Sequence, residues 1–145
     1  MKYCINKYGE IYMCDNSMNV DREATQEELN SFLLKNARQE KLDDIKEQYI
    51  NAINKDTADI NNMSFSIHDE AQQNLTSTVL MAKTFNTDIT YFEKNGTQHT
   101  FTFEEFLPIS AAIANAIQGY KSKLYSLETQ TNNASTLEAL NSIKW

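Results

Sequence analysis

The chain has 145 residues, enough for one domain that buries about 70% of the surface exposed when unfolded, without help from a disulfide or metal. With 41% apolar residues and a net charge of −7, it reads as a globular protein with a polar, acidic surface. That charge repels phosphate backbones and anionic lipid, so nucleic acid and membrane are poor partners.

Residues 2–14, KYCINKYGEIYMC, alternate and are rich in Tyr and Ile around Gly9, which predicts a β-hairpin. The polar run 6–10 stands where a signal peptide needs an apolar stretch, so a cytosolic protein is expected. Cys4 and Cys14 lack the second pair that a zinc site requires. In a reducing cytosol they are expected as two free, half-buried thiols, although strands around them also allow a bridge. Residues 15–22 are polar and aperiodic, which predicts a linker. A boundary near residue 22 then divides a hairpin-and-linker segment, 1–22, from a helical domain, 23–145.

Thr25 and Glu28 have the spacing of a capping box, in which each side chain satisfies an orphan amide of the other. Leu29, Phe32, Leu33, Ala37, Ile45, Tyr49, Ala52 and Ile53 follow at helical spacing, predicting one amphipathic helix over 26–54. Asn61 and Asn62 interrupt it, and residues 63–67 alternate as a short extended piece. A second helix is predicted over 69–85, with Ala71, Leu75, Thr78, Val79 and Ala82 on one face and Asp69 as its N-cap.

Residues 89–94 and 97–102 flank Asn95-Gly96, the pair that tolerates the two positive φ angles of a type I′ turn. The expected register sets Phe92 opposite His99 and Thr90 opposite Phe101. Thr102 and Glu105 open a third helix, in which Pro108 predicts a kink or a short leading turn, with an end near Leu127. A polar loop is expected over 129–134. Ser135 and Glu138 then cap a short last helix that carries Leu137, Leu140 and Ile143. The fold class is α+β and mainly α, with two hairpins, one N-terminal and one at Asn95-Gly96.

His68-Asp69-Glu70 resembles a metal or catalytic cluster, but consecutive residues point in different directions and rarely converge on one ion. His99 is expected as a packed aromatic, and no nucleophile motif surrounds it. Gly9, Gly96 and Gly119 are isolated, so no phosphate-cradling loop is present. No catalytic, cofactor-binding or metal-ligating residue is assigned. Tyr3, Tyr8 and Tyr12 sit on a hairpin too small to be stable alone, and Tyr is favoured at interfaces. With Trp145, whose ring can bury about 200 Å², they are the candidate partner-binding residues.

From about residue 35 the sequence resembles a family of unassigned function found in bacteriophage tail-fibre and tail-fibre-assembly genes. The residues that carry the resemblance begin with Ile45, Ile53 and Phe65, then Asp69 with Gln72-Gln73-Asn74-Leu75. Tyr91-Phe92 stands where the family usually has Trp, followed by Thr102 with Glu105-Phe106 and a close from Thr136 to Ile143-Lys144-Trp145. The resemblance implies a non-catalytic tail module that binds a tail fibre or another tail protein. Such a module is a fibre-assembly chaperone or an attached virion component, made in the host cytoplasm and in the second case retained in the tail. The alternatives are a structural virion adaptor at a collar, baseplate or fibre joint, and a small host-directed or hydrolytic protein. Self-association into a homo-oligomer is the other partner expectation.

Overall fold

The computed structural model describes residues 2–14 and 22–145. The elements run β1 (Lys2–Ile5), β2 (Ile11–Cys14), β3 (Arg22–Glu23), α1 (Gln26–Lys55), β4 (Thr57–Ile60), β5 (Met63–Ser66) and α2 (Asp69–Phe85). They continue as β6 (Ile89–Phe92), β7 (Gln98–Phe101), α3 (Phe103–Asn133) and α4 (Leu137–Ser142). The fold is α+β and mainly helical. The chain forms two compact units, Met1–Asp43 with Gln130–Lys144, and Asp44–Thr129 with Trp145. Of the predicted linker, residues 15–21 lie outside the described residues, and Arg22 belongs to β3.

In the first unit the strands form a sheet of order β2-β1-β3. Asn6 builds the hairpin loop: its Oδ1 accepts from Tyr8 N at 2.9 Å and Glu10 N at 3.0 Å, and Gly9 absorbs a φ of +84°. The expectation of free thiols is corrected, because Cys4 and Cys14 are disulfide-bonded. Cys4 lies opposite Tyr12 and Lys2 opposite Cys14, so the two cysteines are diagonal neighbours on one face, their Cα atoms 5.8 Å apart. That separation suits a disulfide.

The capping box of α1 forms as predicted. Thr25 N donates to Glu28 Oε2 at 2.9 Å, and Glu28 N donates to Thr25 Oγ1 at 3.2 Å. The Arg22 guanidinium clamps the same carboxylate with two hydrogen bonds. Further along α1, Arg38 donates to Ala134 O at 2.7 Å and Lys41 to Ile143 O at 3.3 Å, holding the C-terminal segment of this unit. The cap of α4 is Thr136 instead of the expected Ser135, its Oγ1 accepting from Ala139 N at 3.1 Å.

The second unit is built around Tyr49, Ile53, Phe65, Ile67, Leu75, Phe106 and Ile113, all buried. Two differences from the expected elements have local causes. Asn61 and Asn62 both adopt positive φ, 52° and 63°, and close an additional hairpin, β4–β5, among the described residues. The N-cap of α2 is His68, whose Nδ1 accepts from Ala71 N at 3.2 Å, which leaves Asp69 inside the first turn.

The β6–β7 register is one residue from the expected one. Tyr91 faces His99, Ile89 faces Phe101 and Phe92 faces Gln98. Gly96 alone takes a positive φ in this turn, while the side chain of Asn95 accepts from Thr97 N at 2.8 Å. Glu93 and Thr97 therefore close a three-residue loop, a type I turn followed by a glycine bulge, in place of a two-residue type I′ turn. The pairing places Tyr91 in the core and leaves Phe92 54% exposed.

Helix α3 runs unbroken through Pro108 and ends at Asn133, beyond the expected Leu127. Pro108 is one and a half turns in and exposed, so water can satisfy the Glu104 carbonyl that its missing N–H releases. Instead of the polar loop, Leu127, Thr131 and Ala134 continue the buried stripe at spacings of four and three.

Candidate partner-binding surface

The sheet of the first unit sorts its side chains by the period-2 rule of strands. Tyr3, Ile5, Ile11 and Met13 share one face, whereas Cys4, Tyr12 and Cys14 share the other. Tyr8 sits in the loop, 76% exposed, with Lys7 Nζ 4.9 Å from its ring centre. The structure thus does not gather Tyr3, Tyr8 and Tyr12 onto one surface. What it does assemble is an apolar edge: Ile5 and Ile11 face Phe32 of α1 across a groove of about 400 Å³. Glu27, Glu28 and Lys35 line the same groove, and Met13, 61% exposed, extends the apolar face.

A second groove of about 620 Å³ lies on the other flank of the α1 start, between Asn30, Leu33 and Leu34 and the start of α4 at Thr136 and Leu137. Leu33 was expected on the buried stripe but is 39% exposed here, as is Leu137 at 46%. Glu27 and Ser31 border both grooves. Sequence reasoning missed Phe32, Leu33 and Leu137 as surface residues, because the grooves join segments about twenty to a hundred residues apart. The only local signal was the alternation of Ile5 and Ile11 with Cys4 and Tyr12.

The electrostatics of this surface are set at the start of α1. The Arg22 guanidinium, followed by Thr25 N, holds the Glu28 carboxyl at about 2, well below its ordinary 4.5. Glu28 therefore stays ionised and committed to its own neighbours, leaving Glu27 as the exposed acid of the groove.

Trp145 lies in the second unit. Its ring stacks on Tyr120, meets Tyr49 edge-on at 6.1 Å and carries Lys123 Nζ 4.5 Å from its centre. Tyr120 in turn donates its hydroxyl to Asp56, which pushes the phenol up from its ordinary value. The ring is half-buried by these contacts.

The residues that resembled a catalytic cluster do not converge. His68 caps α2, and Asp69 and Glu70 are exposed. His99 stacks on Phe101 at 5.7 Å, and its Nε2 pairs with Glu93 Oε1 at 2.7 Å. That bond and Ser64 N lower the Glu93 carboxyl from its ordinary value. Among the described residues no three His, Cys, Asp or Glu side chains are grouped so as to hold a metal ion. No helix among them is long and apolar enough to cross a membrane.

The sequence profile of one family, described as a domain of unknown function (DUF4376), matches residues 36–143. No curated protein and no solved structure matches the chain.

Proposed function

The match spans well over half of the chain, which therefore belongs to the DUF4376 family, and on that premise we propose a non-catalytic bacteriophage tail accessory protein. In this reading it binds a tail fibre or another tail protein. The tail assignment rests on the sequence resemblance, whose residues from Ile45 to Ile143 fall inside the matched span while its closing Lys144 and Trp145 lie beyond it. The observation that carries partner binding is the β1–β2 hairpin. It lies outside that span, exposes Tyr8 and Met13, and borders the Ile5, Ile11 and Phe32 groove. A hairpin of two four-residue strands is marginal alone, and an exposed Tyr and Met beside an apolar groove are the side chains interfaces favour.

Of the two forms this role takes, the Cys4–Cys14 disulfide favours a component retained in the particle over a transient cytoplasmic chaperone. Disulfides persist in oxidising surroundings, which a released particle meets and a reducing cytosol does not supply. Mass spectrometry of purified particles is expected to find the chain in fixed proportion to the tail proteins. Its absence from particles, with co-purification from lysates intact, would leave the chaperone form. The binding surface is tested by Tyr8→Ser with Met13→Ser, both exposed, so helicity should not change. Undiminished co-purification of that variant with the fibre would remove the hairpin from the interface.

A further inference from the structure

A cavity of about 370 Å³ lies in the second unit, between β5, α2 and β6. Ser66 at the end of β5, His68 before α2, Asn74 and Thr78 on α2, and Thr90 and Phe92 on β6 all contribute to it. Its volume falls in the range of small-ligand sites, about 300–1,000 Å³. We infer that this cavity binds a neutral saccharide unit, held by side-chain hydroxyl, amide and imidazole groups with the Phe92 ring as one apolar wall.

The chemistry of the wall selects that class. The charged groups lining the cavity are already engaged. Glu93 gives one carboxylate oxygen to His99 and the other to Ser64 N at 2.9 Å. Lys94 gives its ammonium to the Asn54 and Lys55 carbonyls at the end of α1. Glu93 and Lys94 are also of opposite sign, so the lining carries no net formal charge to attract a phosphate, a carboxylate or an ammonium compound. The remaining groups suit a polyhydroxyl compound, because hydroxyls and amides both donate and accept. His68 adds an imidazole whose Nδ1 accepts from Ala71 N, so Nε2 is the ring nitrogen left for a ligand.

Phe92 supplies the rest. The three-residue loop at Lys94–Gly96 turns this ring outward, 54% exposed, while Tyr91 takes the core position. An aromatic face beside convergent hydrogen-bonding groups matches a pyranose, which presents C–H groups on one face and hydroxyls around its edge. This inference concerns the second unit and does not depend on the hairpin or on the tail reading.

The test is a ¹H–¹⁵N titration of the full chain with glucose, galactose, mannose and N-acetylglucosamine, alongside glucose 6-phosphate. At least one neutral sugar is expected to give saturable shifts confined to amides around residues 66–78 and 90–94. Phe92→Ala, at an exposed position, should weaken that binding at least tenfold, about 1.4 kcal/mol, with the rest of the spectrum unchanged. Thr90→Val should weaken it while keeping the strand. The absence of saturable shifts with every sugar, shifts that Phe92→Ala leaves intact, or tighter binding of the phosphate would each overturn the inference.

Discussion

Trp145, the single tryptophan of the sequence, lies parallel to Tyr120, with ring centroids 6.5 Å apart and planes 14° from coplanar. The same ring meets Tyr49 at 71°, so it fills the angle between residues of α1 and α3 within the second unit. Replacing a fully buried Trp by Ala costs about 3–5 kcal/mol, and half-burial scales that to roughly 2 kcal/mol for Trp145→Ala. The urea midpoint should fall accordingly with the slope unchanged. In the native protein the Trp145 fluorescence should follow the same transition as the far-ultraviolet helix signal. A fluorescence change that precedes helix loss would mean that Trp145 detaches on its own.

Stability should decline in acid through the surface carboxylates. Glu28 is held at about 2 by Arg22 first and Thr25 next, and hydrogen bonds also lower Glu93, Glu105 and Asp59. A carboxyl whose folded value lies below its unfolded value stabilises the fold above the unfolded value. It loses that contribution as pH falls through the folded one. For Glu28 the window runs from its ordinary 4.5 down to about 2. These groups lie at the surface, so added salt should reduce the effect. Melting temperatures measured across that range should drop, and Glu28→Gln should show a shallower drop from a lower start. Parallel curves for the two proteins would mean that the Arg22–Glu28 pair contributes nothing.

The helices were legible where capping and periodicity agreed. Thr25 and Glu28 fixed the start of α1 and the Ile45, Tyr49, Ile53 stripe carried it to its end, one residue from the expected boundary. The misses come from residues that satisfy two local rules at once. Asn95-Gly96 fits both a two-residue and a three-residue turn, and the Asn95 contact with Thr97 N decides between them. Strand β4 was hidden because Thr57-Ala58-Asp59-Ile60 holds two weak strand formers directly after a helix, and Asn61-Asn62 lacks the usual glycine. The polar residues from Thr129 onward read as a loop after an end near Leu127, yet Thr131 among them is fully buried. The tyrosines marked the hairpin as a candidate surface. Its groove stayed hidden because Phe32 meets Ile5 and Ile11 only in three dimensions.

The one-residue shift in the β6–β7 register has a direct mutational signature, because a slip of one exchanges the two faces of a strand. Tyr91 contacts Phe106 at 5.0 Å and Phe65 at 5.7 Å, so Tyr91→Ala should cost about 3 kcal/mol or more. Phe92→Ala, on the exposed face, should cost well under 1 kcal/mol. Gly96→Ala meets open space but forces a side chain to φ +89°, which should cost about 1 kcal/mol through backbone strain alone. Denaturant midpoints of the three variants check the order. A costly Phe92→Ala beside a mild Tyr91→Ala would restore the two-residue turn.

The disulfide gives the smallest element its persistence. Sheet β2-β1-β3 has strands of four, four and two residues, a size that is marginal in water. Closing the short loop between Cys4 and Cys14 restricts the unfolded chain by about 2.5 kcal/mol. Because that loop belongs to the hairpin, the effect should stay local. Reduction, or Cys4→Ser with Cys14→Ser, should raise hydrogen exchange across residues 2–14 by roughly tens- to a hundredfold while α2 and α3 keep their protection. Exchange measured by mass spectrometry resolves those segments in one experiment. If the hairpin amides are equally protected without the bond, packing of Ile5 and Ile11 against α1 holds the sheet. In that case the hairpin would keep its shape in a reducing cytosol as well as in a released particle, and the argument for a retained component would lose its support.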